Sequence, residues 1–145
     1  MFLRTQDYQT YIKGNVLTMV TQNTENIRTE AELAAQSQME SYLRNRYDVS
    51  QIFALPQDTN GQPDYTQRNY LIVMYMIDIT LYHIHARMAT QDVPEIREIR
   101  YNDALEWLKA VASMKVSPNL PELPTTEPPQ GIILYGSEPK RNSRF

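Results

Sequence analysis

The sequence predicts an all-α protein. It would be a small helical bundle of three long helices with short N-terminal helices, followed by an extended proline-rich C-terminal arm that contains one short β-strand. Two long segments carry apolar residues every three or four positions, and a third is apolar for nearly its whole length. Six of the nine prolines lie in the last 28 residues, which therefore cannot be helical. A chain of 145 residues fits one domain with one core.

The first long helix is predicted to run from an N-cap at Thr24 to Arg46 or Tyr47. Its apolar positions share one face and are Ile27, Ala31, Ala35, Met39 and Tyr42. Three carboxylates, Glu30, Glu32 and Glu40, are predicted to lie on the solvated face. Ahead of this helix, a short turn is expected at Thr5 and a short apolar segment between Asn15 and Gln22.

The second long helix is predicted between Tyr70 and Met88, after a loop that spans Ala54 to Thr66. Many of its residues are β-branched, which would suit a strand. The segment is too long for a strand, however, and no turn signal interrupts it. A helix that is apolar nearly all round is typical of a central, buried position.

The third long helix is predicted to begin with Pro94 at its first position, where a missing N–H is tolerated. Glu95 and Glu98 would lie near the positive end of the helix dipole. Its apolar stripe has helical spacing and comprises Tyr101, Ala104, Leu105, Leu108, Val111 and Ala112.

The domain boundary is placed after residue 116, with a helical domain over 1–116 and the arm over 117–145. Within the arm, Ile132, Ile133, Leu134 and Tyr135 form an apolar island between two glycines. Such an island predicts a strand, and a lone strand needs a partner for its N–H and C=O groups. We therefore expect it to pair with another subunit. The chain ends in a short basic segment, residues 140–145.

Composition excludes several classes of protein. The formal net charge of −3 argues against a protein that coats nucleic acid. The absence of cysteine removes disulfides and thiol chemistry and fits a reducing, cytosolic setting. The longest apolar run, Tyr70 to Ile77, is too short to span a bilayer, and the N-terminus does not resemble a signal peptide. We expect a soluble protein with no membrane partner.

No catalytic, cofactor or metal site is predicted. His83 and His85 would point about 200° apart on a helix and could not hold one metal ion together. Asp78 could share a face with His85, either as a base dyad or, as we prefer, as a buried polar link between helices. The four glycines are isolated, so the sequence contains no phosphate-binding loop.

Three stretches carry a family resemblance. The first long helix closes on YLRNRYD, from Tyr42 to Asp48; Arg68-Asn69 opens the apolar helix; and RYNDALEWL runs from Arg100 to Leu108. In order and spacing, these stretches resemble the Mu-like group of tailed-phage head–tail connector proteins, also called adaptor or head-completion proteins. The resemblance covers roughly residues 2 to 121. The long proline-rich tail departs from shorter members of the group.

The resemblance implies a structural virion protein without catalytic residues, assembled in the host cytoplasm and located at the head–tail junction. Such proteins form a ring, commonly of twelve copies, that joins the portal protein to the tail or a second connector. Genomic DNA would pass through its channel without specific binding. Arg44, Arg46 and Tyr47 at the helix end, together with Ile132 to Tyr135, are the predicted subunit and partner contacts. For the two arginines, the alternative to a subunit contact is anchoring Asp48.

Two alternatives compete with a connector. A small helical DNA-binding or regulatory protein would need a basic helix face, which the net charge does not favour. A small hydrolase built on Asp78 and His85 would need a pocket around the central helix.

Overall fold

The computed structural model describes residues 1–88 and 92–124. Within them lie five α-helices, namely α1 (Gly14–Val20), α2 (Glu25–Leu43), α3 (Val49–Ile52), α4 (Tyr70–Ala86) and α5 (Glu95–Ala112), and two 3-10 helices, Thr5–Thr10 and Tyr65–Gln67. These residues contain two isolated β-bridges and no strand. The predicted all-α class is confirmed. Most of the predicted arm, from residue 125 onwards, lies outside the described residues.

Helix α4 is the centre of the bundle and packs against both α2 and α5. Its residues 76–81 are all buried, so no face of this part of the helix meets solvent. Asn69 caps its N-terminus, since the side-chain oxygen accepts from the backbone N–H groups of Leu71 and Ile72. The prediction of a central helix from its apolar composition is confirmed.

Helices α4 and α5 run antiparallel and meet through aromatic side chains. The rings of Tyr82 and Tyr101 stack with centroids 3.9 Å apart, and Tyr75 lies 4.8 Å from Trp107. Ala104 and Leu108 of the predicted stripe are fully buried. The spacing of the stripe therefore positions α5 along α4.

A buried ion pair attaches the N-terminal segment to the start of α4. Arg68 Nη1 donates to Asp7 Oδ2 at 2.7 Å and to the carbonyl of Phe2 at 2.8 Å. The Arg68 side chain is 5% exposed, and its guanidinium lies 4.8 Å from the centre of the Tyr65 ring. Phe2, next to it, belongs to the core. This contact holds the N-terminal segment against the start of α4.

Two predicted helix boundaries need small corrections, while the N-cap position at Thr24 is confirmed. Helix α2 ends at Leu43, before the predicted Arg46 or Tyr47, because the chain turns there to pair Tyr47 with the C-terminal segment. Thr24 is the N-cap residue of α2, but its hydroxyl donates to the Gln22 carbonyl rather than capping the helix. Pro94 lies one position ahead of the first residue of α5.

The prediction of a solvated Glu32 was wrong. This residue is 1% exposed, whereas Glu30 is exposed and Glu40 is partly exposed. Tyr8, from the first 3-10 helix, donates its hydroxyl to Glu32 Oε1 at 2.8 Å, and Arg28 Nε lies 3.4 Å from the same oxygen. The N-terminal segment covers this part of α2, where Glu32 lies three and seven residues before the buried Ala35 and Met39 and so shares their face.

Among the described residues, no helix combines the length and the apolar character that crossing a membrane requires.

Candidate assembly site at the C-terminal anchor

The end of α2 places the three predicted contact residues in different surroundings. Arg44 is exposed, and Arg46 is partly exposed. Tyr47 is 1% exposed and packs in the core of this chain. Asp48 then caps α3, because its carboxylate accepts from the backbone N–H groups of Ser50 and Gln51. The change of direction at residues 44–48 leaves the N–H of Asp48 and the carbonyl of Arg46 available to another segment.

The chain after α5 returns to this turn and hydrogen-bonds to it. The N–H of Asp48 donates to the carbonyl of Pro121 at 2.9 Å, and the N–H of Leu123 donates to the carbonyl of Arg46 at 3.0 Å. Tyr47 and Glu122 thereby form an antiparallel β-bridge. We call residues 117–124 the C-terminal anchor. Its first residues directly follow the predicted domain boundary, and they contact the helical body.

Side chains reinforce the anchor from both sides. Leu120 is 7% exposed and joins the hydrophobic core. Arg46 Nη1 donates to the Ser117 hydroxyl, and its Nη2 donates to Glu122 Oε1, each at 3.0 Å. Arg46 thus binds the anchor and not Asp48, the alternative that the sequence suggested. Because Arg46 and Glu122 are substantially exposed, their ion pair orients the segment more than it stabilises it.

A second link joins the anchor to the start of α4. Asn69, which caps that helix, also donates its side-chain amide to the carbonyl of Asn119 at 3.4 Å. The anchor therefore bridges the end of α2 and the beginning of α4. Sequence reasoning treated all residues after 116 as an extended arm, since proline density gives no sign of a short docked stretch.

The predicted contacts Ile132, Ile133, Leu134 and Tyr135 lie outside the described residues. The anchor nevertheless ends at residue 124, and this fixes the point from which the remaining chain continues.

Asp78 forms the buried link between helices that we preferred over a dyad, but its partner is not His85. Arg100 of α5 donates through Nε and Nη2 to the two carboxylate oxygens of Asp78, at 2.6 Å and 3.1 Å. Burial raises the pKa of Asp78, and the hydrogen bonds and charge of Arg100 oppose that effect. His85 instead contacts the Leu81 carbonyl of its own helix through Nδ1 at 2.7 Å. The carboxylate and the imidazole therefore have separate structural partners.

His83 also has a partner on another helix. Its Nε2 lies 3.0 Å from Oε1 of Gln38, and burial lowers its pKa. Gln38 donates in turn to the Tyr101 hydroxyl at 3.1 Å, so this polar chain connects α2, α4 and α5. Within residues 1–88 and 92–124, no group of three or more potential metal-ligating side chains converges.

The comparisons with known proteins identify a family. Residues 3–133 match the family described as bacteriophage Mu, Gp36. The matched range includes nearly all of the helical body and the whole anchor. No curated protein and no solved structure matches the chain significantly. The family match and the three sequence stretches around the end of α2, the start of α4 and the middle of α5 agree. The chain is thus a bacteriophage protein that belongs to the Mu Gp36 family.

Proposed function

We propose that this protein is a structural subunit of the phage head–tail junction. Copies of it assemble into a ring, of twelve subunits in the form we favour, that joins the portal to the tail or to a second connector. The ring continues the channel through which genomic DNA passes. The protein belongs to the virion and is assembled in the host cytoplasm.

The observation that carries the proposal is the C-terminal anchor. Backbone bonds from Asp48 and Leu123 and the buried Leu120 hold residues 117–124 on the helical body. The 21 residues after Pro124 therefore start from a defined point, and they include the apolar island and a basic end. A compact body with an arm that begins at a fixed position suits head-to-tail contacts, which close into rings when the rotation between subunits permits.

The charge of the body supports a channel that does not hold DNA. Residues 1–124 contain eleven Lys and Arg against fifteen Asp and Glu. Several of the arginines are already engaged with carboxylates, as Arg68 is with Asp7 and Arg100 with Asp78. A surface with few unengaged cations binds phosphates weakly, so DNA can slide past it.

The non-catalytic role is supported by the partners of the candidate groups. Asp78 is neutralised by Arg100, and His85 and His83 contact groups of the helical bundle. Each of these contacts joins turns or helices of the protein and needs no substrate to explain it.

The arm can be tested with a point substitution that preserves its length. Ile133→Pro removes a backbone donor from the apolar island and should prevent strand pairing. Gln130→Pro, next to Pro129, is the matched control outside the island. We expect Ile133→Pro to abolish incorporation of the subunit into portal-bound particles, measured by the mass of the complexes, while Gln130→Pro leaves it intact. Equal incorporation of both variants would contradict a role for the arm in assembly.

A further inference from the structure

Helix α5 exposes a face that combines carboxylates with large apolar side chains. Ile96 and Ile99 are 54% and 48% exposed, and Glu95, Asp103 and Glu106 are exposed beside them. At about 100° per residue, these five positions fall within about 100° of the helix surface. They lie opposite the buried stripe of α5. We call them the acidic face of α5.

None of the three carboxylates forms an ion pair with any described residue. By contrast, Asp7, Asp78 and Glu122 each form an ion pair with an arginine of the body. Two adjacent exposed isoleucines among unpaired acids favour an occupant that is both cationic and apolar.

The end of this same chain has that composition. Lys140, Arg141 and Arg144 supply three cations, and Phe145 supplies an aromatic ring. We infer that the acidic face of α5 receives the basic end, residues 140–145, of a neighbouring copy. The inference rests on the proposed ring and names the surface that joins successive subunits.

Charge favours a neighbouring copy over the same chain, and the length of the arm permits it. Bodies with a surplus of acidic residues repel one another, and a cationic segment between two of them offsets that repulsion. The 21 residues beyond the anchor can reach about 70 Å when extended, whereas the 18 residues of α5 span only about 27 Å. The arm is therefore long enough to leave its own body. Every copy carries both the acidic face of α5 and the basic segment 140–145, so the same contact can repeat from subunit to subunit.

Cysteine cross-linking tests the contact directly, because the chain has no cysteine of its own. Full-length Ile99→Cys and full-length Asn142→Cys are mixed and treated with a short bismaleimide at several protein concentrations. Neither chain can form the mixed product alone. Asp58→Cys replaces Ile99→Cys as the control, since Asp58 is an exposed carboxylate position in the loop before α4.

We expect a mixed product of twice the 16.9 kDa chain mass from the α5 position, and at least about tenfold less from the Asp58 position. Adding Glu106→Lys to the Ile99→Cys chain should lower the yield by a similar factor, because like charges then face each other. Raising the salt concentration should also lower it. Equal yields from both positions, or no mixed product at any concentration, would overturn the inference. Ring mass, measured without cross-linker, reports on the proposed function separately.

Discussion

At the scale of single residues, the Asp78–Arg100 pair is asymmetric. Asp78 is 3% exposed, whereas the Arg100 side chain is 35% exposed and can reach water. Removing the arginine therefore leaves a buried carboxylate without its partner, which costs more than removing the carboxylate.

We predict that Arg100→Met lowers the free energy of unfolding by about 2–3 kcal/mol at pH 7. The loss should be smaller near pH 4. Burial already raises the pKa of Asp78, so the folded state holds this proton to higher pH than the unfolded chain does. A neutral carboxyl group then needs no counter-charge. Urea unfolding at the two pH values measures the difference, with Arg44→Met, at an exposed position, as the control. An equal loss at both pH values would count against this account.

The pKa of Asp7 is shifted in the opposite direction to that of Asp78. Burial raises its pKa, but hydrogen bonds from Arg68 and Arg4 outweigh that effect and lower the pKa to about 2. A carboxylate with a depressed folded-state pKa contributes stability above its ordinary value of 3.8 and loses it as the pH falls towards 2. The shift corresponds to about 2 kcal/mol.

Asp7→Asn should therefore be less stable than the wild type at pH 6 by about 2 kcal/mol or more, with the difference shrinking towards pH 2. Denaturant unfolding across this range checks the prediction. Glu30→Gln, at an exposed position on α2, controls for the loss of a carboxylate. A difference that stays constant from pH 6 to pH 2 would show that the Arg68 contact does not set this behaviour.

At the scale of residues, the prediction from the sequence missed the burial of Glu32. Helical spacing places it beside the buried Ala35 and Met39, and the return of the N-terminal segment buries it beneath Tyr8. The buried polar link of Asp78 was easier to predict, because a charged residue inside an apolar helix indicates a buried partner. The sequence could not choose that partner between His85 on the same helix and Arg100 on the next one.

At the scale of elements, the C-terminal anchor contains two leucines, three residues apart, with different surroundings. Leu120 is 7% exposed and joins the core, whereas Leu123 is 43% exposed although its backbone is hydrogen-bonded to Arg46. If the anchor is part of the folded body, truncating the side chain of Leu120 should destabilise the protein, whereas truncating that of Leu123 should not.

Leu120→Ala is expected to lower the free energy of unfolding by about 2–3 kcal/mol, and Leu123→Ala by less than about 1 kcal/mol. Urea unfolding measures both, and hydrogen exchange at the Asp48 amide reports on release of the anchor. Near-equal, small effects would mean that residues 117–124 detach from the body without cost to its stability.

The long elements were more predictable than their ends. Periodicity located α2 and α5, and length with apolar composition located α4, because these signals come from many residues at once. The anchor depends on a few backbone bonds between segments some 75 residues apart, as Tyr47 and Glu122 show. Local sequence carries no signal for such pairing.

At the scale of the whole molecule, the described residues form a helical body whose chain leaves from one defined place. Three sequence stretches predicted the family, and the match over residues 3–133 confirms it. The ring, its partners and the contact between the basic end and the acidic face of α5 are properties of an assembly. They depend on surfaces that a single chain exposes and that are covered only by contacts between subunits.

The mass of the full-length protein with and without portal assemblies of its phage tests the central claim most directly. Light scattering over a range of concentrations would measure it. We predict a discrete large oligomer, or a chain that joins the portal in a fixed ratio near one subunit per portal position. A monomer or dimer that ignores the portal and binds DNA more tightly at low salt would contradict the connector and favour a DNA-binding protein.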